Sequence, residues 1–389
     1  METKKHENRL HALLSASGGD RWMNCTPSAR LEEKHTEQSS VYAAEGTLAH
    51  ELAELKLLYS QGRISQQLFT RDRIIIENNS LFTKEMPSQV EKYTDYILER
   101  KAIAEVSHKQ VILSIEEKLN FNHIVPKGFG TGDAALVYGD TIEVIDLKYG
   151  AGVPVSADDN TQLKLYGIGA LQAYDLMFSI KKVVLTIVQP RLNSISTFEI
   201  STKDLLFWAH NIVKPLAEKA FAGEGIQNPG SWCRWCKVKA RCKAFANVGV
   251  ELAKKEFAEP QLLTKEEMVE IHAKTPMVLE WSKAVQEYMF KEAVKGEKFP
   301  GLKLVRGTGS RRWLDKEKVK QLLKQEGKEG YTKETLVGIL KVEEMFSVDR
   351  FNELLGPLIH KPPGSLKLVS KEDKRPEYDD LSEANEDFL

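Results

Sequence analysis

Residues 128–150, G-F-G-T-G-D-A-A-L-V-Y-G-D-T-I-E-V-I-D-L-K-Y-G, hold the densest set of groups able to do chemistry: Asp133, Asp146 and Lys148. Ala134–Tyr138 and Thr141–Leu147 are β-rich runs around Gly139-Asp140, a pair suited to a two-residue hairpin turn. In that register Tyr138 opposes Thr141, and Asp133 opposes Asp146. Opposed side chains on a sheet have Cβ atoms about 4.5–5.5 Å apart, and like charges placed so repel. A divalent cation between the two carboxylates relieves the repulsion, and Mg²⁺ takes such oxygen ligands. Lys148 is two residues beyond Asp146 and therefore shares its strand face. Two carboxylates and an ammonium on one face suit phosphodiester hydrolysis, with metal-activated water as nucleophile and the lysine orienting it or neutralising developing charge.

The elements that must position this trio can be read on either side of it. A-A-E-G-T-L-A-H-E-L-A-E-L-K-L-L-Y from Ala43 is an amphipathic helix with Leu48, Leu52, Leu55 and Leu58 as its stripe and His50 near its start. H-E-L-A-E lacks the second histidine of a zinc-protease helix. Residues 60–108 read as helical, and Val111–Leu119 as a strand. Its Glu116 and Glu117 are expected to face solvent, with an added site carboxylate as the alternative. Asp158-Asp159-Asn160 precede a helix over Thr161–Ala173 that carries Gln162 and Tyr166 on one face. Lys182–Gln189 is an apolar strand of the kind buried on both faces, ended by Pro190-Arg191, and Ser194–Ile200 returns as another. The expected fold is mixed α/β, a central sheet flanked by helices.

The chain has four cysteines, Cys25 alone and Cys233, Cys236 and Cys242 together as C-x2-C-x5-C. In a reducing compartment four thiolates suit a tetrahedral zinc site or an iron–sulfur cluster. Arg234, Lys237 and neighbouring basic residues alternate with Trp232 and Trp235, a pattern for nucleic-acid backbone and bases or for a charged loop around a structural metal. Arg306–Trp313, with Arg311 and Arg312, is a second basic loop that could grip phosphate. Thr264 and Glu267 form a capping box before a helix over Met268–Val294. Small helices follow over 315–356, and an acidic tail expected to be disordered ends the chain. The expected division is 1–110, an N-terminal helical part, 111–250, a core with the cysteine-rich segment, and 251–389, a mostly helical C-terminal region.

Across the chain 55 Lys and Arg balance 56 Asp and Glu, which excludes a globally basic polyanion binder; a basic surface must be local. No apolar run reaches membrane-span length and the N-terminus lacks a signal peptide's apolar core, so a cytoplasmic protein with no membrane partner is expected.

Four separated pieces, G-T-L-A-H (His50), G-T-G-D (Asp133), D-L-K (Asp146, Lys148) and Q-L-K-L-Y (Gln162, Tyr166), occur in the order and spacing of the RecB-type branch of the PD-(D/E)XK nucleases. The cysteine pattern resembles the iron–sulfur subgroup of that branch, which includes AddB-type helicase–nucleases and CRISPR-associated nucleases. The resemblance covers roughly residues 15–250, and the whole chain is similar to phage and prophage proteins of undefined function. It implies a restriction-endonuclease-like core in which His50, Asp133, Asp146 and the Leu147 carbonyl bind Mg²⁺ or Mn²⁺. Lys148 then serves the nucleophile, Gln162 and Tyr166 position DNA or Lys148, and Arg191, Arg234, Lys237, Arg311 and Arg312 are candidate nucleic-acid contacts. Cys25, Cys233, Cys236 and Cys242 hold a [4Fe–4S] cluster in this expectation, with Zn²⁺ the alternative. The implied activity is a metal-dependent DNA nuclease, an exonuclease or single-strand nuclease in phage recombination or DNA processing. A phage recombination or single-strand-binding protein is the candidate protein partner. The competing reading is a non-catalytic DNA-binding accessory protein that keeps the fold as a platform.

Overall fold

The computed structural model of the chain describes residues 12–33, 35, 41–253, 263–307, 311–327, 331–332, 335–336, 338–360, 362, 364–371, 373 and 375–378. Its order opens with five helices: α1 (Gly19–Asn24), α2 (Ser28–Glu32), α3 (Val41–Ser60), α4 (Gln66–Glu77) and α5 (Met86–Ser107). Then come β1 (Val111–Asn120), β2 (Phe129–Tyr138), β3 (Thr141–Leu147), α6 (Thr161–Phe178), β4 (Lys182–Gln189) and β5 (Ser194–Ser201). Helices α7 (Thr202–Trp208), α8 (Lys214–Ala222), α9 (Lys243–Ala253) and α10 (Lys265–Val294) follow. The expected mixed α/β fold is what forms: a five-stranded sheet in the order β1-β2-β3-β4-β5 with helices against it. Strands β3 and β4 are parallel and the other neighbours antiparallel. A parallel pair needs a long crossover, and α6 supplies it. Its first turn is capped by Asn160, whose Oδ1 accepts from the Leu163 amide at 3.1 Å.

Every residue of β3 is buried, as an inner strand covered on both faces requires. Its side chains alternate between two cores. Ile142 and Val144 join the layer of α1, α6, α7 and α8, and Ile145 and Leu147 join the layer of α3 to α5. Each such side chain contributes about 1.5–3 kcal/mol on burial, so a one-residue slip of β3 would exchange its two faces and is strongly disfavoured. Gly139 turns the β2–β3 hairpin at φ +54°, a conformation that favours glycine. The pairing runs from Tyr138↔Thr141 to Ala134↔Ile145, the register expected from the sequence.

Two expectations needed adjustment. The helix over 161–173 continues to Phe178, because Leu163, Ile168 and Leu171 extend into an apolar face that also takes Tyr174. Residues 203–222, which the sequence reads as one helix rich in apolar and aromatic residues, are interrupted by a π-helical stretch, Ala209–Val213. Pro215, at the start of α8, has no amide hydrogen to give the preceding turn, so the hydrogen-bond register widens there.

Contacts divide the chain into Met1–Trp281 and Ser282–Leu389, a boundary that falls inside α10. The Thr264 capping box forms, with Thr264 N–H donating to Glu267 and the Glu267 amide to Thr264 Oγ1. In the second unit β6 (Leu302–Arg306) is followed by β7 (Arg312–Trp313), α11 (Lys316–Gln325), β8 (Tyr331–Thr332) and β9 (Thr335–Leu336). Helices α12 (Ile339–Glu343) and α13 (Val348–Leu355), then β10 (Ile359–His360) and β11 (Leu366–Ser370), complete it. Val319, Leu323, Val342, Phe351 and Leu355 make its core. Residues 1–12 read from the sequence as charged and frayed; of these 1–11 lie outside the described residues, as does the acidic tail from 379 onward, while Ala12 is buried.

Candidate metal and phosphate site

The site lies where β3 ends. Beyond Ala134↔Ile145 the β2–β3 ladder stops, and Asp133 turns its carboxylate onto the partner backbone instead: the Leu147 amide donates to Asp133 Oδ2 at 2.7 Å. The other oxygen, Oδ1, lies 3.2 Å from His50 Nδ1. Helix α3 delivers His50 by burying Leu48, Leu52 and Leu55 against the sheet, which leaves the intervening face turned to the strand ends.

Strand β1 adds a carboxylate expected to face solvent. Glu116 sits at φ +49° in mid-strand, between the pairs Ile115↔Ala134 and Glu117↔Gly132. A glutamate in the left-handed region is uncommon and strained, and the kink turns its side chain inward, 7 % exposed and 3.9 Å from His50 Nδ1. His50, Glu116 and Asp133 each offer a donor atom within 4.8 Å of the others and could together hold a metal ion. The neighbouring Glu117 takes a structural part, accepting from Tyr174 Oη at 2.5 Å. The β1–β2 register that brings Glu116 here follows from a connection of several residues rather than a tight turn, so no turn type announced it.

Asp146 and Lys148 share a strand face as expected, with Lys148 Nζ 2.8 Å from Asp146 Oδ2. That contact is close but off hydrogen-bond geometry, so the buried Oδ2 is left without a hydrogen-bond partner. Gln162 links the rest: Lys148 Nζ donates to its Oε1 at 3.0 Å, and its Nε2 donates to Asp146 Oδ1 at 3.3 Å and Tyr166 Oη at 3.2 Å. Gly130 lets the Tyr166 ring lie on β2, because a Cβ there would sit 2.7 Å from Tyr166 Cε1. Tyr93, from α5, donates its hydroxyl to the Ile145 carbonyl at 3.4 Å beneath the carboxylates. Nothing in its helical sequence context distinguished it from an ordinary core tyrosine.

Electrostatics follow from crowding charges in a buried place. Burial works against the His50 imidazolium, but Asp133, Glu116 and Asp146 outweigh it and lift its pKa to about 9. Burial also disfavours the Asp133 carboxylate, yet His50, Lys148 and the Leu147 amide hold its pKa below the ordinary value. Asp146 goes the other way: burial and the nearby Asp133 charge raise it despite Lys148. Lys148 is pushed down by burial and carried up further by Asp146 and Asp133. The two carboxylates thus differ in proton affinity, as pairs with divided roles do.

The four cysteines line one small cavity with Arg21, Trp232 and Lys239. Burial raises the Cys25, Cys233 and Cys236 thiols, the last to about 12 with Glu32 adding to it. No three of the sulfurs lie within 4.8 Å of one another. Around them, the Glu32 carboxylate accepts from Arg21 Nε at 2.9 Å and from the Lys237 amide at 2.6 Å. The Asn228 side chain donates to the Asn24 carbonyl at 3.1 Å.

The candidate nucleic-acid residues are scattered. Arg191 stands beside the site, its guanidinium 5.1 Å over the Tyr149 ring. Arg234 stacks on Trp235 at 5.2 Å by the cysteines, where Lys237 also lies. In the second unit Arg311 is engaged by both oxygens of Glu343, which occupies the charge expected to grip phosphate. Arg312 is paired in β7 opposite His360. Residues 308–310 of that basic loop lie outside the described residues. Among the described residues no helix is long and apolar enough to cross a membrane.

Among solved structures, the chain is similar to that of SSO0001 at 18% identity over 56% of this chain and 94% of that one, with a TM-score of 0.21. A family model described as a protein of unknown function, DUF2800, matches residues 11–376, and the chain belongs to that family.

Proposed function

We propose that the chain is a metal-dependent DNA nuclease of the PD-(D/E)XK kind, an exonuclease or single-strand nuclease in phage recombination or DNA processing. The observation that carries this reading is the contact of half-buried Lys148 with the buried Asp146 carboxylate, 2.8 Å, beside the His50, Glu116 and Asp133 donors. Oxygen donors with one imidazole suit Mg²⁺ or Mn²⁺. Clustered carboxylates that repel one another also favour a bound cation. His50, Asp133 and Asp146 would hold it, with Glu116 in reach and the Leu147 carbonyl the further ligand implied by the resemblance. A bound divalent cation would polarise the phosphoryl group and lower the pKa of a coordinated water.

The remaining work falls to this chain's side chains. Lys148 directs its ammonium at the nucleophile and screens charge developing on the phosphate. Gln162 accepts from Lys148 and fixes the direction of Nζ, and Tyr166 in turn fixes the Gln162 amide. Gln162 and Tyr166 therefore act as positioning residues.

A [4Fe–4S] cluster on Cys25, Cys233, Cys236 and Cys242 is our proposal for the cysteine cavity. All four thiols line that one cavity, and four thiolates suit such a cluster as well as a tetrahedral zinc. Zinc remains the alternative occupant.

The test is incubation of the full chain, purified without oxygen, with labelled single- and double-stranded DNA in Mg²⁺ or Mn²⁺. Cleavage is expected for wild type and lost in Asp146→Ala and Lys148→Ala, with DNA binding retained. Binding without cleavage by the metal-loaded wild type would overturn the enzyme and leave the accessory-protein reading.

A further inference from the structure

Arg191 follows β4 in the short turn Pro190–Leu192. Strands β3 and β4 are parallel, Leu147 opposes Val188, and the Lys148 amide donates to the Val188 carbonyl at 3.0 Å. Their carboxyl ends therefore open together at the same side of the sheet, where ligands of parallel α/β sheets characteristically bind. Tyr149, next after Lys148, is buried with its ring facing Arg191, and the guanidinium stacks over it at 5.1 Å. A stacked guanidinium is held flat with its N–H edge free to present donors.

One acid meets that edge. Glu45, on α3 five residues before His50, places Oε1 and Oε2 at 3.3 and 3.4 Å from the same nitrogen, Arg191 Nη1. This is a single-nitrogen contact and not the two-nitrogen fork that guanidinium and oxyanion prefer. It leaves Nε and Nη2 uncommitted in this pair. The arginine side chain is 30 % exposed, and a partly exposed ion pair of this sort is held weakly. On the same turn Asn193 accepts from Lys92 Nζ at 2.7 Å, so a second cation from the helical layer stands beside the first.

We propose that Arg191 is a binding residue for a backbone phosphate of the nucleic acid next to the one cleaved, and that Glu45 masks it in the free protein. This rests on the nuclease reading. On binding, a phosphate takes the guanidinium fork, Glu45 is displaced, and the strand is registered against Lys148 through Tyr149. Masking keeps the arginine from holding other anions at an empty site.

Binding of labelled single-stranded and duplex oligonucleotides by the full chain, with Ca²⁺ in place of Mg²⁺, tests this across a range of KCl. Arg191→Ala should weaken binding several-fold and lower the slope of log affinity against log salt by about 0.7 for single strands, one phosphate contact. Glu45→Gln should act in the opposite direction and tighten binding, and the double variant should match Arg191→Ala. A merely structural ion pair predicts loss in both single variants, so a same-direction result overturns the proposal. So does unchanged binding by Arg191→Ala while wild type binds, an outcome that leaves the nuclease reading intact. Should wild type bind neither oligonucleotide, both readings fall.

Discussion

The two oxygens of Asp133 are divided between a fixed and a reactive partner: Oδ2 accepts the Leu147 amide at 2.7 Å and Oδ1 lies 3.2 Å from His50 Nδ1. The backbone bond locks the carboxylate so that its second oxygen can face only the imidazole. In the metal-free protein His50 therefore keeps its proton up to about 9 against an ordinary 6.5. A group whose folded pKa is raised contributes stability that is complete below its unfolded value and lost as pH rises through the folded one. Metal-free protein should thus lose stability between pH 6.5 and 9. A cation must displace the same proton, so Mn²⁺ affinity should rise over that window with proton release. Calorimetric titration in buffers of different ionisation enthalpy measures this, and Mn²⁺ binding without proton uptake by the buffer would show that His50 is no ligand.

Gly130 is where the fold and the site meet. A methyl there would overlap the Tyr166 ring, whose hydroxyl holds Gln162 and through it Lys148. Overpacking a tight contact costs about 1–3 kcal/mol. Gly130→Ala should lower the unfolding free energy measured in urea by that amount and cut cleavage further than the stability loss explains. A variant with wild-type cleavage would mean that the Tyr166–Gln162 chain does not position Lys148.

Much of this was legible in the sequence because local rules agreed. The Gly139-Asp140 turn fixed the β2–β3 register, the unbroken apolar run of β4 marked an inner strand, and period-2 spacing put Lys148 beside Asp146. What stayed hidden depends on contacts between segments with no turn to set them. Glu116 enters only through a left-handed kink in β1, and Tyr93 through the packing of α5 on the sheet. Glu32 approaches the cysteines from a helix more than two hundred positions away in the chain. Arg311 read as a free cation until the fold supplied Glu343.

Glu143 is nearly inaccessible in β3 and is met by Arg100, whose Nε lies 3.1 Å from both of its oxygens. Burial raises the Glu143 pKa even so, with Arg100 opposing. Removing the arginine leaves the buried carboxylate with the Tyr96 hydroxyl at 3.4 Å as its remaining donor, a loss toward the lower end of about 3–5 kcal/mol, whereas replacing both partners by apolar groups is often near neutral. Arg100→Ala should therefore unfold at distinctly lower urea than Arg100→Met with Glu143→Leu. Equal midpoints for the two proteins would place Glu143 in water and contradict its burial.

The cysteine cavity is joined to the N-terminal segment by polar bonds that need no metal, and the proposed cluster would join the two a second time through sulfur. Closing a loop of about two hundred residues through metal–thiolate bonds would stabilise by about 5 kcal/mol on the chain-entropy argument. Arg21 Nη1 donating to the Trp235 carbonyl at 3.2 Å, Glu32 with the Lys237 amide, and Asn228 with the Asn24 carbonyl already hold those ends together, so the entropic gain is smaller. Cys25→Ser should lose the bound metal and any visible colour while keeping α1 and α2 docked, with a modest drop in unfolding midpoint. Adding Arg21→Ala to it should release the segment, read as fast amide exchange over residues 19–32 with the central sheet still protected. If Cys25→Ser alone exposes that segment, the polar latch contributes nothing and the metal is the whole staple. If neither variant changes exchange or metal content, Cys25 is a half-buried thiol outside the site.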